Sequence, residues 1–369
     1  MRVLALEAYH AGSHRAFLAG WVAHSRHDWT LLTCPGHHWK WRMRHAAASF
    51  AEQLAGEPHE PFDAVFATDM LNLAEFRGLA PPAVAAAPAV AYFHETQLTY
   101  PNRTDDPRDV HFALTNLATA LAAKACWFNS GYHRDAFLAA LGDLLNQMPG
   151  QELAWAPQRV AERSAVAYPG VDPLAPAPPA PGPLCILWNA RWEHDKDPER
   201  FFAAIEQLAA TGADFRLNVC GESFRDVPAV FASARERFAG HIRRWGYQSS
   251  RAEYESALRE ADVVVSTARH EFFGLGVVEA VAAGARPLLP PRLAYPELFG
   301  PVDDPARSAW FYDGTAEGLA AALAGAVESK ASGPQAPPPT DPRALVERFA
   351  WPRRAKELDA ALEAVADAV

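Results

Sequence analysis

Residues 171–183 read VDPLAPAPPAPGP, six prolines in one short run. Proline lacks a backbone N–H and holds φ fixed, so the run excludes helix and sheet interior alike and makes a semi-rigid extended connector. The fold must break there. On either side, short apolar runs alternate with helical patterns. Before the prolines, strands are predicted at 3–6, 29–33, 63–68, 89–93 and 125–128. Helices are predicted at 13–24 and 110–124, and another runs through Phe137 with Ser130 as its N-cap. After them the pattern restarts with strands at 184–188, 215–220, 241–245 and 261–267 and helices at 198–210 and 251–260. Repeated strand–loop–helix units mean parallel sheets covered on both faces. The predicted class is therefore α/β, with two Rossmann-like domains facing each other across a cleft where ligands bind. The expected division is 1–172 for the first domain, 173–183 for the linker and 184–342 for the second domain. Residues 343–369 are expected to form a C-terminal helix, bent or restarted at Trp351-Pro352, that crosses back to the first domain. A Pro- and Gly-rich loop is expected at 331–342.

Composition narrows the function classes. With 369 residues, half of them hydrophobic, the chain supports two cores. It contains no uncharged apolar stretch near the roughly 18 residues a membrane helix needs, and residues 1–7 reach a charge too soon for a secretory leader. Cys34, Cys126, Cys185 and Cys220 are far apart in apolar surroundings and read as buried thiols. The expected location is the cytoplasm, with no membrane and no obligatory protein partner. A formal charge of −10 argues against wholesale coating of nucleic acid. One local run differs: residues 37–45, HHWKWRMRH, carry three fixed positive charges, three histidines, two tryptophans and no acid. Lys40, Arg42 and Arg44 suit RNA phosphates, and Trp39 and Trp41 suit base stacking. The alternation of the tryptophans equally fits a pair packed on the core.

The chemistry concentrates in the second half. Strand 261–267 runs into a loop holding Glu271, and then Gly274 and Gly276 open an apolar helix carrying Glu279. Gly284 and Pro287 end that helix. Amides at a helix N-terminus make an anion seat. Carboxylates on both sides of it would repel a bare phosphate but suit one flanked by hydroxyl-bearing groups, as in a nucleotide sugar. Arg191 and Lys196 leave the end of the first strand beyond the linker, placed to clamp a diphosphate; the alternative is two solvated surface charges. Asp105-Asp106 and Asp303-Asp304 lie beside prolines and read as turn acids, so no metal site is expected.

Arg191…Lys196 and Glu271…Glu279 resemble the R-x4-K and E-x7-E elements of retaining GT-B glycosyltransferases of family 4. Val219-Cys-Gly221-Glu222 and Trp245-Gly-Tyr247 resemble the elements between them. In the N-terminal half, the matching stretches are Leu6-Glu-Ala-Tyr-His-Ala-Gly-Ser-His14, His38-Trp-Lys-Trp-Arg42, Tyr92-Phe-His-Glu-Thr-Gln97 and Phe128-Asn-Ser130. These are similar to the tRNA-queuosine α-mannosyltransferase group. The resemblance implies transfer of a hexose from a nucleotide diphosphate sugar, GDP-mannose first, onto queuosine of a tRNA anticodon loop, with no cofactor or metal. It leaves as alternatives another modified nucleoside, a small glycan, or a non-catalytic homologue that binds the sugar nucleotide or tRNA.

It also implies roles. Glu271 would contact the transferred sugar, and Glu279 the ribose hydroxyls. The amides of Phe273, Gly274, Leu275 and Gly276, with Gly12 and Ser13, would serve the phosphates. Gly221, Glu222 and Tyr247 would line the donor site. His94 would join Arg191, Lys196 and Glu271 in catalysis. His14, Glu95, Gln97 and Asn129 would lie on the acceptor side with Trp39, Lys40, Trp41, Arg42 and Arg44.

Overall fold

The computed structural model describes every residue except 57–59, 101–109, 150–151, 176–180, 224–225, 334–339 and 369. Asp105-Asp106, the middle of the proline run and much of the 331–342 loop lie outside the described residues. The chain divides into two compact units, Met1–Gly170 with Phe349–Val369, and Val171–Arg348.

The first unit holds six strands: β1 (Arg2–His10), β2 (Asp28–Pro35), β3 (Ala64–Thr68), β4 (Ala89–Phe93), β5 (Ala125–Phe128) and β6 (Ser164–Val166). They pair in parallel in the order β2-β1-β3-β4-β5-β6. Every residue of β3 and β4 is buried, as expected where helices cover both faces. Alternate residues of β1 serve the two faces. Leu4, Leu6 and Ala8 pack in one cluster with Met43 and Phe50, and Val3 and Ala5 in another with Phe17 and Trp21. The second cluster also takes Trp351, Ala355, Leu358 and Leu362 of the C-terminal helix Trp351–Asp367. That helix is tied down by its buried Asp359, which accepts from Trp21 Nε1 at 2.8 Å, Ser25 Oγ at 2.8 Å and the Arg26 amide at 2.9 Å. The C-terminal helix thus belongs to the N-terminal unit, restarted at Trp351 after a short 3-10 turn, Glu347–Phe349.

The second unit holds β7 (Leu184–Asn189), β8 (Phe215–Cys220), β9 (Ile242–Gly246), β10 (Val263–Val265) and β11 (Arg286–Leu288), again parallel, in the order β11-β10-β7-β8-β9. In each sheet the chain works outward from its first strand on one side and then returns to the other. The resulting switch points lie between β1 and β3 and between β7 and β10, and open α/β sheets bind ligands at the carboxyl ends of strands there.

The helices Trp39–Gly56, Leu73–Leu79, Pro82–Ala86, Ala156–Ala161, Val230–Arg237, Tyr295–Phe299 and Ala316–Ala331 escaped the sequence pattern. β1 also continues past Leu6 to His10, because Glu7 is paired within the fold and its charge does not end the strand. Among the described residues no helix is long and apolar enough to cross a membrane.

Candidate active site

At the β7/β10 switch point, Gly274 adopts φ +88° as N-cap of the helix Leu275–Ala282, a conformation open to glycine at little cost. Gly276, in the first turn, lies so close to the end of β7 that a Cβ there would come within 2.7 Å of Asn189 Nδ2. Asn189 Nδ2 donates to Gly276 O at 3.2 Å and to the Tyr254 hydroxyl at 2.8 Å. Tyr254 in turn donates to Glu279 Oε2 at 2.6 Å, and Arg251 Nη1 lies 3.4 Å from Glu279 Oε1. Burial raises the Glu279 pKa above the ordinary glutamate value, and Tyr254 and Arg251 offset only part of that rise.

The two predicted cations sit in different surroundings. Lys196, in the 3-10 turn His194–Lys196, is buried. Its Nζ donates to His270 O at 2.8 Å and to Glu271 Oε2 at 3.1 Å, and lies 3.1 Å from Asp195 Oδ2. Burial works against its charge, yet Glu271 and Asp195 outweigh that, and its pKa is raised. Burial likewise pushes Glu271 up, but Lys196 and a backbone N–H carry it below its ordinary value. The surface-charge alternative is therefore ruled out for Lys196. Arg191 is exposed and pairs with Glu193 at 3.3 Å. Its charge still reaches Asp195, whose pKa is held low, against burial, by Lys196 and Arg191.

One expectation changes here. Glu271 Oε1 itself accepts from the amides of Phe272 (3.1 Å) and Phe273 (3.4 Å), so the Phe273 amide is already engaged and the seat narrows to the first residues of the helix. Tyr247 is 69% exposed. Leu275 is half-buried. Gly221 and Glu222 follow β8 and brace the segment carrying Arg191: a Cβ on Gly221 would fall 1.8 Å from Ala190 O, and Glu222 O accepts from the Trp192 amide at 2.9 Å.

At the β1/β3 switch point a second polar group assembles. Gly12 and Ser13 are exposed at the start of the helix Gly12–His24, which carries His14 back against the strands. Glu7 is fully buried; its Oε1 accepts from the Tyr9 amide at 2.7 Å and the Thr68 hydroxyl at 3.2 Å, and its Oε2 lies 3.1 Å from His14 Nδ1. The His14 ring stacks on His94, centroids 3.9 Å apart and tilted 31°. The His94 amide donates to Asp69 Oδ1 at 3.2 Å. Asn129 Nδ2 donates to His94 O at 2.8 Å, and Gln97 Nε2 to Glu95 Oε1 at 2.9 Å. Burial opposes charge on His14, but Glu7, Asp69 and Glu95 raise its pKa to about 9. Burial, then the neighbouring His14 and His133, push His94 well below the ordinary histidine value. Two unit charges about 4 Å apart repel by about 4 kcal/mol at an effective dielectric near 20, so only one ring of the stack is charged. Burial raises Asp69 to about 7.

The donor atoms of Glu7, His14 and His94 lie within 4.8 Å of one another, near enough to suggest a metal. The Glu7–His14 contact and the His14–His94 stack engage these groups with one another. Glu7, Asp69, Asn189 and Tyr254 were not anticipated as site residues. The available signal was Glu7 itself, an acid adjoining an apolar strand, which burial would oblige to find a partner.

The basic–aromatic run forms the start of the helix Trp39–Gly56, not a strand. Positions two apart lie about 200° apart around a helix, so the tryptophans diverge. Trp39 packs on Phe112 at 4.9 Å, whereas Trp41 is 63% exposed. Lys40 and Arg44 are exposed, over the Trp39 ring (5.6 Å) and the Phe112 ring (5.1 Å) respectively. Arg42 is held between His37 (3.1 Å) and His45 (3.2 Å).

Comparison with known proteins is consistent with this geometry. Residues 2–171 match the family model described as tRNA-queuosine alpha-mannosyltransferase N-terminal, and residues 133–290 match Family 4 Glycosyltransferase in conflict systems. The tRNA-queuosine alpha-mannosyltransferase of Drosophila melanogaster is 33% identical over 310 residues, covering 80% of this chain and 81% of the relative. A GDP-mannose-dependent alpha-(1-6)-phosphatidylinositol dimannoside mannosyltransferase of Mycobacterium tuberculosis is 28% identical over 186 residues, 50% of this chain and 45% of its own. Among solved structures, the Anabaena protein HepE in complex with UDP aligns with TM-score 0.68 at 15% identity, over 99% of this chain and 100% of its own. Sucrose-phosphate synthase from Thermosynechococcus elongatus aligns with TM-score 0.70 at 14% identity, over 99% of each chain. At such identities these structures establish the fold, GT-B.

Proposed function

This chain belongs to the family of tRNA-queuosine alpha-mannosyltransferases, and from that premise we infer its reaction. It is a glycosyltransferase that moves a hexose onto queuosine in tRNA. The donor is a nucleotide diphosphate sugar, GDP-mannose first, and the reaction proceeds in the cytoplasm with retention at the anomeric carbon. The observation that carries this reading is the buried Lys196–Glu271 pair, held at a switch point beside a glycine-opened helix.

In the second unit, Glu279 takes the ribose hydroxyls as a hydrogen-bond acceptor, while the first amides of its helix, at Leu275 and Gly276, meet the sugar-proximal phosphate. Arg191, exposed and loosely held by Glu193, exchanges that partner for the diphosphate. Lys196 adds its fixed charge as negative charge builds on the leaving group. These two cations do the neutralising, so the chemistry needs no metal. Glu271 orients the sugar hydroxyls and tolerates positive charge developing at C1. The bond from C1 to the diphosphate oxygen breaks as the bond to the acceptor oxygen forms on the same face, and the leaving oxygen takes the acceptor's proton. In the first unit, the neutral His94 ring hydrogen-bonds the reacting acceptor. The exposed Lys40, Trp41 and Arg44 meet the phosphates and an unstacked base of the tRNA loop.

Mass spectrometry of nucleosides tests the reading. Queuosine-containing tRNA is incubated with the purified chain and, separately, GDP-mannose, UDP-glucose and UDP-galactose. A hexose-mass gain on queuosine with GDP-mannose is expected. Modification with a different sugar would correct the donor, and no glycosylated queuosine with any donor would overturn the assignment.

A further inference from the structure

We propose that Glu7 is a positioning residue for the transfer reaction: through His14 it fixes the orientation of the stacked His94 ring at the β1/β3 switch point. The proposal rests on the functional reading above only in that His94 meets substrate. Glu7 lies within β1, opposite Thr33 of β2, and is buried where a lone carboxylate would be costly. Each of its oxygens is engaged, and one lies within hydrogen-bond distance of His14 Nδ1. A carboxylate on that nitrogen makes His14 a donor there and favours the imidazolium. His14 in turn covers one face of His94 at 3.9 Å, while Phe17 meets it edge-on at 5.3 Å and Tyr92 at 4.7 Å. Its Nε2 is buried without a hydrogen-bond partner. A ring gripped on these sides, beside a cation, has one orientation and one charge state.

The groups facing this pair come from every neighbouring strand end: Glu7 and His10 from β1, Asp69 after β3, Glu95 after β4, and His133 from the helix Gly131–Gln147. Arg15, on the His14 helix, adds a charge near His10. The acids outnumber the fixed cations, which favours one proton on the pair, and the Glu7 contact places it on His14. The stack separates two jobs that one histidine cannot do at once, since the ring that answers the carboxylate is not the ring that meets substrate.

The first test needs no variant. An imidazole titration of the whole chain by NMR, with His14 and His94 assigned, is expected to show His14 charged through neutrality and losing its proton near pH 9, and His94 neutral throughout. A His14 ring already neutral at pH 7 overturns the proposal. The second test compares Glu7→Gln, His14→Gln and the double variant. Glu7→Gln is expected to lower kcat roughly 10-fold or more with the donor KM unchanged, and to bring the alkaline limb of the kcat profile toward neutrality. In the His14→Gln background, Glu7→Gln should cost nothing further. Losses that multiply would show that Glu7 does not act through His14 and would sink the idea. Should Glu7→Gln fail to fold, His14→Gln alone decides: burial still opposes charge on His94, but without its stacked neighbour that ring loses its fixed orientation, and an unchanged kcat overturns the proposal. If the wild-type chain glycosylates no queuosine, the functional reading falls while the titration still settles the stack.

Discussion

The two sheets share a connection pattern and a place for ligands, yet their switch points hold charge in opposite ways. At β7/β10, Lys196 is fixed between Glu271 and Asp195, and both carboxylates stay ionised below their ordinary values. At β1/β3 the fold collects protons, with His14 held to about 9 and Asp69 to about 7. Burial penalises charge at both sites. The sign of the outcome depends on whether a permanent cation is present: a buried lysine lets its acids remain charged, whereas histidine must gain a proton to serve the same purpose. One site therefore offers a cation that pH does not alter, suited to a diphosphate, and the other an imidazole poised beside a proton store, suited to a hydroxyl.

The largest effect that sharpens this contrast is Lys196→Ala. It strands two carboxylates in a buried site, so a loss of about 3–5 kcal/mol in stability is expected, together with a fall in turnover of roughly 10²-fold or more. Arg191→Ala should lower turnover comparably but cost only about 0–1 kcal/mol of stability, since Arg191 itself is exposed. Denaturant unfolding beside initial rates reads both; equal stability losses would break the distinction between fixed and exposed cation.

The next effect is on pH. His14 is raised from 6.5 to about 9, so the folded state holds its proton more tightly; the stabilisation is complete below pH 6.5 and lost as pH rises through about 9. That is on the order of 3 kcal/mol. Asp69, raised from 3.8 to about 7, acts in the same direction: its contribution is greatest below 3.8 and declines until about 7. Glu271 and Asp195 have the opposite sign, their stabilisation present above their ordinary values and lost only as pH falls through the lower folded ones. Lys196, raised, contributes unchanged up to its ordinary 10.5. Hydrogen exchange by mass spectrometry between pH 6.5 and 9, corrected for intrinsic rates, should show protection falling in β1, β3 and β4 but not in β7 and β10. Parallel loss in both sheets would refute the difference.

A smaller effect belongs to the proposed tRNA surface. Replacing Lys40, Trp41 and Arg44 by Ala should weaken tRNA binding, with about 1–3 kcal/mol from Trp41 if a base stacks there, and flatten the salt dependence. Trp39→Ala should instead destabilise the fold through its contact with Phe112. If Trp39 rather than Trp41 governed tRNA affinity, the helical reading of this patch would be wrong.

Sheet class and motif order were legible because both are local: parallel strands are unbroken apolar runs, and Gly274 and Gly276 punctuate one loop. Glu271, Glu279 and Lys196 could be named for the same reason. What stayed hidden depends on distant partners. Glu7 looked like the end of a strand because His14 and Thr68, which neutralise it, are brought there only by folding. Tyr254 looked like one residue of a charged helix, and only the β7/β10 crossover sets its hydroxyl on Glu279. The helix Trp39–Gly56 was obscured by its own composition, since charged and aromatic residues on exposed positions interrupt the apolar periodicity of its first turns.

Tyr254 supplies the finest test of the comparison. Its hydroxyl accepts from Asn189 and donates to Glu279, so the carboxylate proposed to bind ribose is aimed by a neutral group instead of by a lysine. Glu279→Ala should mainly weaken donor binding, because the acceptor of the ribose hydroxyls is gone. Tyr254→Phe keeps the ring and removes the hydrogen bond to Glu279, which leaves that carboxylate free to turn toward Arg251. A hydrogen bond to a charged group contributes about 1.5–3 kcal/mol, and only the share spent on orientation appears in binding, so a rise of roughly 3- to 10-fold in donor KM with kcat nearly unchanged is expected. A fall in kcat with KM untouched would place Tyr254 with the reacting sugar, and the division between a ribose-holding Glu279 and a sugar-facing Glu271 would have to be redrawn.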